Sequence, residues 1–256
     1  MNYGRQIHIK NSAELKVMRQ AGRINAEIMA TVKNLIQPGV STADLNAAAE
    51  DVLKKHGCYS PFKGYSQPPY PASICTSVNE ELVHGIPSRK RILHEGDILS
   101  ADCGTVFEGF VADSAFTAGV GEISPEAKRL LEITEGALYA AIEKMRVGNR
   151  TGDISAAIQN YVESRGLHVT REYTSHGVGH DMHEGPMVPN FGIAGSGMSL
   201  RPGMTIAIEP MVLIGTHETR VLRDKWTVIS ADKSLTAHFE HSVAVTEGDP
   251  LILTVP

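Results

Sequence analysis

From Ser12 to Ile36 the apolar residues Leu15, Met18, Ala21, Ile24, Ile28, Val32 and Leu35 recur at intervals of three and four, the period of a helix with one buried stripe. The spacing predicts an amphipathic helix over 12–36, stopped by Pro38-Gly39. A second helix is predicted to open near Ser41 or Thr42, either of which can cap a first turn. It stops at Gly57, glycine being preferred just past a helix end. The pattern then returns. Ser124-Pro125-Glu126 is a capping serine followed by proline at the first helical position and predicts a helix to about Arg146. Thr151 reads as the cap of a fourth helix ending at Gly166.

Shifted by 109 residues, the second helix pair falls on the first, with Gly39 on Gly148, Thr42 on Thr151, Asp44 on Asp153, Ala47 on Ala156, Ala48 on Ala157 and Gly57 on Gly166. Shared capping chemistry and alanine-rich helices account for part of that agreement. Further along, GDILSAD and GMTIAIE align with an offset of 107, Gly96 on Gly203 and Asp102 on Glu209. The expected architecture is α+β: one domain over 1–256 with two similar halves, about 12–120 and 121–256, each supplying two helices and then strands. A site between the halves follows, because pockets favour such junctions.

Composition narrows the functional classes. The chain has 256 residues, 42% of them hydrophobic, enough for a sizeable core. Its formal net charge of -5 gives no basic footprint, so neither nucleic acid nor an anionic membrane is an expected partner. The opening MNYGRQIHIKNSAELK lacks an apolar core of signal-peptide length, and no run of about 18 apolar residues occurs. Three cysteines, Cys58, Cys75 and Cys103, are an odd number without metal-site spacing and suit a reducing compartment. The cytoplasm is the expected location.

Against this background five residues stand out because each interrupts an apolar or glycine-rich stretch: Asp102, Asp113, His176, Glu209 and Glu240. Buried carboxylates are costly unless paired or bound to a cation, and four of them with one imidazole form a donor set for divalent ions. The segment from Ile98 to Thr117 reads as two strands around a Glu108-Gly109 turn, which pairs Phe107 with Phe110 and Gly104 with Asp113. Asp102 then lies on the same face as Asp113, diagonal to it. Glu209 and Glu240 each break a strand pattern. In SHGVGHDMHEGP the glycines argue for an irregular loop carrying His176, His180 and His183. Taken singly, each has an ordinary reading: outward aspartates on a hairpin, exposed-face glutamates, a solvated histidine loop. His84 alone would be a loop histidine.

Taken together, these residues resemble the type I methionine aminopeptidases of the bacterial kind, over almost the whole chain. The matching motifs are Asn79-Glu80 with His84-Gly85-Ile86-Pro87, Asp102 and Asp113, His176-Gly177-Val178-Gly179 with His183-Glu184, Ile208-Glu209-Pro210-Met211, and Phe239-Glu240-His241. The resemblance implies the pseudo-twofold "pita-bread" fold, with helices on a curved antiparallel sheet. It implies two divalent ions (iron, manganese, cobalt or zinc) held by Asp102, Asp113, His176, Glu209 and Glu240. Glu209, His183 and His84 become the catalytic residues: Glu209 moves the proton of an activated water, His183 donates to the substrate oxygen, and His84 contacts the scissile amide. The methionine pocket falls to Phe62, Tyr65, Tyr70, Cys75, Met182 and Trp226. The implied reaction removes the initiator methionine from nascent proteins with a small second residue. A monomer is the expected form, with the ribosome a candidate docking partner. A monovalent cation would sit near Asn79 and Thr236.

The sequence departs from that pattern in places. Ser66-Gln67-Pro68-Pro69 lengthens the link between the two tyrosines, Ser175 replaces a glycine, and His180-Asp181 add ionisable groups without an assigned role. The rivals are a proline-specific peptidase of the same fold, such as a prolidase or Xaa-Pro aminopeptidase, and a non-enzymatic binding protein on that fold. The first usually carries an additional N-terminal domain. The second has typically lost ligands.

Overall fold

The computed structural model describes residues 6–256, so the first five residues of the opening segment lie outside the described part. Among the described residues there are four helices: α1 (Ser12–Leu35), α2 (Thr42–Lys55), α3 (Pro125–Ile142) and α4 (Thr151–Glu163). Asn11 caps α1, its side chain accepting from Ala13 N and Glu14 N while Glu14 reaches back to Asn11 N at 2.7 Å. Ser41 caps α2 in the same way with Asp44. Two sequence expectations need correction. α3 stops at Ile142 and not near Arg146, because Lys144 N and Met145 N bond three residues back, to Ala141 O and Ile142 O, tightening the chain out of the α-helical ladder. Thr151 is the first residue of α4 and not its cap; its hydroxyl accepts from Met198 N, and Asp153 satisfies the freed Arg150 N.

The strands are β1 (Cys75–Val78), β2 (Glu81–Val83), β3 (Ile98–Phe107), β4 (Phe110–Gly119), β5 (His168–Val169), β6 (Thr174–Gly177), β7 (Glu184–Pro189), β8 (Thr205–Ile208), β9 (Met211–Leu213), β10 (Thr219–Val221), β11 (Val228–Ser230), β12 (Thr236–His238), β13 (Glu240–Ala244) and β14 (Leu251–Ile252). The main sheet is antiparallel in the order β1-β3-β4-β13-β8-β6-β7, with β14 beside β13. Two three-stranded sheets, β10-β11-β2 and β12-β9-β5, flank it. The β3–β4 hairpin has the expected register, Phe107 on Phe110 and Gly104 on Asp113. Glu108 and Gly109 both have positive φ, +47° and +80°, the type I′ geometry that matches strand twist.

Alternation along the strands separates core from site. Leu99, Ala101 and Cys103 of β3 point into a cluster with Ile24 and Ile28 of α1 and Leu45 and Ala49 of α2. Ile206, Ile208 and Val243 point into the larger cluster under α3 and α4. The intervening residues of the same strands therefore face the other side of the sheet, the concave face away from the helices. Among the described residues no helix is long and apolar enough to cross a membrane. The three cysteines are unbridged.

Candidate metal centre and its cavity

Sheet register alone brings the carboxylates together. Cys75 pairs with Asp102, Asp102 with Ala115 and Ala115 with Glu240, one transverse row across β1, β3, β4 and β13. His241 pairs with Ile208, so continuing that antiparallel register sets Glu209 opposite Glu240. Asp113 is two residues before Ala115, and His176 pairs with Ala207, two before Glu209, so both sit on the same face one row away. His176 lies on a strand and not in an irregular loop as expected. The glycines behind it do mark a close approach: a Cβ on Gly177 would stand 2.0 Å from Gly185 O.

Thirteen side chains line one cavity of about 140 Å³, and they are the thirteen site residues expected from the sequence. Asp102, Asp113, His176, Glu209 and Glu240 form its floor, and His84 and His183 its side. Phe62, Tyr70 and Cys75 belong to an apolar cluster against which Met182 and Trp226 pack. The Ser66–Pro69 segment loops outward: Tyr70 N bonds Tyr65 O at 2.9 Å and Gly64 N bonds Tyr70 O at 2.8 Å, so both tyrosines still reach the cavity. Tyr65 meets His183 Nδ1 through its hydroxyl at 2.8 Å. His180 is exposed, with its ring 4.2 Å from that of Phe110, away from the cavity lining.

The donor chemistry fits divalent metal. Asp102 Oδ1, Asp113 Oδ1, Glu240 Oε1 and His238 Nε2 are buried and have no hydrogen-bond partner. Among the described residues no lysine or arginine lines the cavity. Donor atoms of Asp113, His176 and Glu240 lie within 4.8 Å of one another, and so do those of Glu209, His238 and Glu240, the two sets sharing Glu240. Asp102 is in neither set but opens onto the same cavity. Burial pushes the Asp102, Glu209 and Glu240 carboxyls well above the usual range, with neighbouring carboxylates adding to it, and pushes Asp113 up to about 7. Such a cluster needs an added cation to hold its charge.

His84 is held at φ +61°, a conformation that costs free energy for a non-glycine residue and persists where surrounding structure enforces it. Burial lowers its pKa to about 4, so the ring is neutral. The neighbouring Gly85 has no room for a side chain, since a Cβ there would lie 2.2 Å from Thr76 O. Gly85→Ala is expected to cost about 1–3 kcal/mol by overpacking against β1, measured as a shift in urea midpoint at unchanged slope. A midpoint within error of wild type would contradict the close packing.

Asn79 and Thr236, the expected monovalent-cation pair, do meet, but Asn79 O already accepts from both Thr236 N and Thr236 Oγ1, each at 3.0 Å. Sequence reasoning missed His238. The sequence offers only a partial signal: His238 is two residues from Glu240, the spacing that shares a face along a strand, but β12 ends at His238 and β13 begins at Glu240.

Comparison with known proteins agrees with this geometry. The model of metallopeptidase family M24 matches residues 16–247. A methionine aminopeptidase of Clostridium acetobutylicum is 49% identical over 97% of this chain and 99% of its own. The crystal structure of a methionine aminopeptidase from Thermotoga maritima superposes with a TM-score of 0.96 at 42% identity, covering 98% of this chain and all of that one. A prolidase from Pyrococcus horikoshii shares the fold at 23% identity and a TM-score of 0.74, and this chain covers 63% of it. A carboxylate-and-imidazole cavity on the concave face of a curled antiparallel sheet, matched from end to end by such relatives, places the chain in metallopeptidase family M24.

Proposed function

We propose that this protein is a methionine aminopeptidase that uses two divalent ions to remove methionine from the N-terminus of peptides with a small second residue. The observation that carries the metal centre is the set of buried, unpartnered donor atoms in a cavity that no lysine or arginine lines among the described residues. The two overlapping donor sets that share Glu240 support two ions and not one. When bound, such ions supply a water acidified to near neutral pH and positive charge for the developing oxyanion. Imidazole with carboxylate suits iron, manganese, cobalt or zinc, and supply in the cell selects among them.

The chain's own groups do the rest. Glu209, fixed by its backbone N–H to Ser175 Oγ at 3.0 Å, is placed to take and pass on a proton. His183 Nδ1 is hydrogen-bonded to the Tyr65 hydroxyl at 2.8 Å; in the tautomer in which that hydroxyl donates, the ring carries its proton on Nε2 and can donate to the substrate carbonyl oxygen. Neutral His84, edge-on to Trp226 at 6.1 Å between centroids, lies where the scissile amide would pass. Tyr70, Cys75, Met182 and Trp226 offer the thioether sulfur-aromatic and apolar contacts. The chain's natural substrates on this reading are nascent proteins, met in the cytoplasm and at the ribosome.

The same reading takes the two halves as one duplicated unit. Gly39 and Gly148 share φ near +91° and +95°, Gly57 and Gly166 share +64° and +73°, and Asp44 and Asp153 each accept from the residue before their helix.

The test uses protein stripped of metal, reloaded with two equivalents of manganese or cobalt, and offered Met-Ala-Ser, N-acetyl-Met-Ala-Ser and Ala-Pro. Methionine is expected from the first peptide alone, since a free amine of pKa about 8 is readily available unprotonated and the acetylated one is not. Release from the acetylated peptide, or none from Met-Ala-Ser under any metal condition, overturns the reading.

A further inference from the structure

Among the described residues, Lys10 and Glu184 form the one lysine–carboxylate pair buried on both sides, each side chain 2% exposed. Lys10 immediately precedes Asn11, the cap of α1, and its backbone N–H donates to Gly203 O at 2.8 Å, just ahead of β8. Its Nζ donates to Glu184 Oε2 and, at 3.1 Å, to His8 O. The other carboxylate oxygen, Oε1, turns back on its own loop, accepting from His180 N at 2.6 Å and Asp181 N at 3.3 Å. Gln6 O accepts from Gly185 N at 3.1 Å, so the opening segment grips the exit of this loop at two points. There is no slack at the junction: a Cβ on Gly179 would overlap Lys10 Nζ and Glu184 Oε1.

A buried ion pair is a poor device for stability alone, since apolar side chains of the same volume often do as well or better. What this one fixes is a position. The loop it holds carries Met182 and His183, both in the cavity lining, and His183 directly precedes Glu184. At the other end of the loop, Gly179 O accepts from Val111 N of β4 at 2.7 Å. The loop is thus clamped to the main sheet on one side and to the N-terminal segment on the other. We propose that Lys10 and Glu184 are positioning residues, a buried clamp that sets the His183 ring beside Tyr65 and His176, where it can donate to the substrate carbonyl oxygen.

The catalytic part of this proposal rests on the methionine aminopeptidase reading above. The placement of the ring does not.

The test uses Lys10→Met/Glu184→Gln, which removes both charges, nearly keeps the volume and keeps an acceptor for the His180 and Asp181 amides, so that no lone charge is left buried. Gly179→Ala is the second variant, wedging a methyl group into the pair from the loop side. In zinc-loaded protein, wild type is expected to show a nuclear Overhauser contact between the rings of Tyr65 and His183, whose centroids are 5.3 Å apart, and both variants to lose it. At saturating manganese or cobalt, kcat for Met-Ala-Ser should fall about ten- to a hundredfold in both, the scale of a misplaced catalytic group. In a His183→Ala background the same changes should cost less than about threefold, because a clamp that acts through His183 then has nothing left to place. A ring contact that survives in both variants, an unchanged kcat in active protein, or an equal loss of kcat with and without His183 each overturns the proposal. Loss of the contact in a chain that releases no methionine under any metal condition overturns the enzyme reading and leaves the clamp standing.

Discussion

Glu209→Gln is expected to lower turnover of Met-Ala-Ser by about a hundred- to ten-thousandfold at saturating metal, the range lost with a positioned acid-base group. The substitution keeps shape and volume and leaves the backbone bond to Ser175 Oγ in place, so the fold and cavity survive. What it removes is a carboxylate that can hold and release a proton, from a spot 3.4 Å from His176 and 3.7 Å from His238. It also removes one negative charge from the donor set, so metal saturation must be verified by direct metal analysis. KM for the peptide should change less than kcat, because the side chains assigned to the methionine pocket are untouched. Near-normal kcat in a metal-saturated variant would sink the assignment of Glu209 as proton carrier. His183→Ala is expected to lower kcat less steeply, since it removes one donor to the developing oxyanion.

The sequence carried local relationships well and distant ones poorly. The β3–β4 register was readable because Glu108-Gly109 sets a two-residue turn, and the turn fixes every pair along the hairpin, Gly104 on Asp113 included. No turn joins β13 to β8 or β8 to β6, so the convergence of Glu209 on Glu240 and of His176 on both depended on pairings that only the folded sheet defines. In the sequence it is family resemblance, and not register, that groups those residues. His238 shows the limit of both routes: it belongs to no quoted motif, and a histidine in a strand is unremarkable until its neighbours across the sheet are known. The helix errors have a different origin. The residues after Ile142 still look helical, and only the three-residue bonds of the last turn show that the ladder has closed. Thr151 has the composition of a cap, yet Asp153 supplies the contact to the Arg150 amide.

Chelated protein is expected to melt about 5–10 °C below the metal-loaded protein at pH 7.5, with the gap shrinking markedly at pH 5. The first part follows from linkage: metal at about a hundredfold excess over its dissociation constant adds about 2.7 kcal/mol, and each kcal/mol moves the midpoint of a domain this size by about 2–4 °C. The pH dependence follows from the carboxyl cluster. Asp113 in the folded, metal-free chain titrates at about 7, and Asp102, Glu209 and Glu240 are also raised, by burial first and then by one another. The folded state therefore binds more protons than the unfolded chain between about pH 4 and 7, and stability falls as pH rises through that window. Loaded protein escapes the penalty because its carboxylates are already ionised and held by metal, while protons compete with metal at low pH. Carboxylates held low by hydrogen bonds, such as Glu27, Asp44 and Asp153, pull the other way but are common to both forms and cancel in the difference. Calorimetry at both pH values, with and without chelator, reads that difference directly. Glu240→Gln sharpens the test. In chelated protein it should raise the midpoint at pH 7.5 by removing a carboxyl whose ionised form burial and its neighbours disfavour, and in the presence of metal it should lower it. Equal shifts in both conditions would mean that Glu240 acts through packing alone.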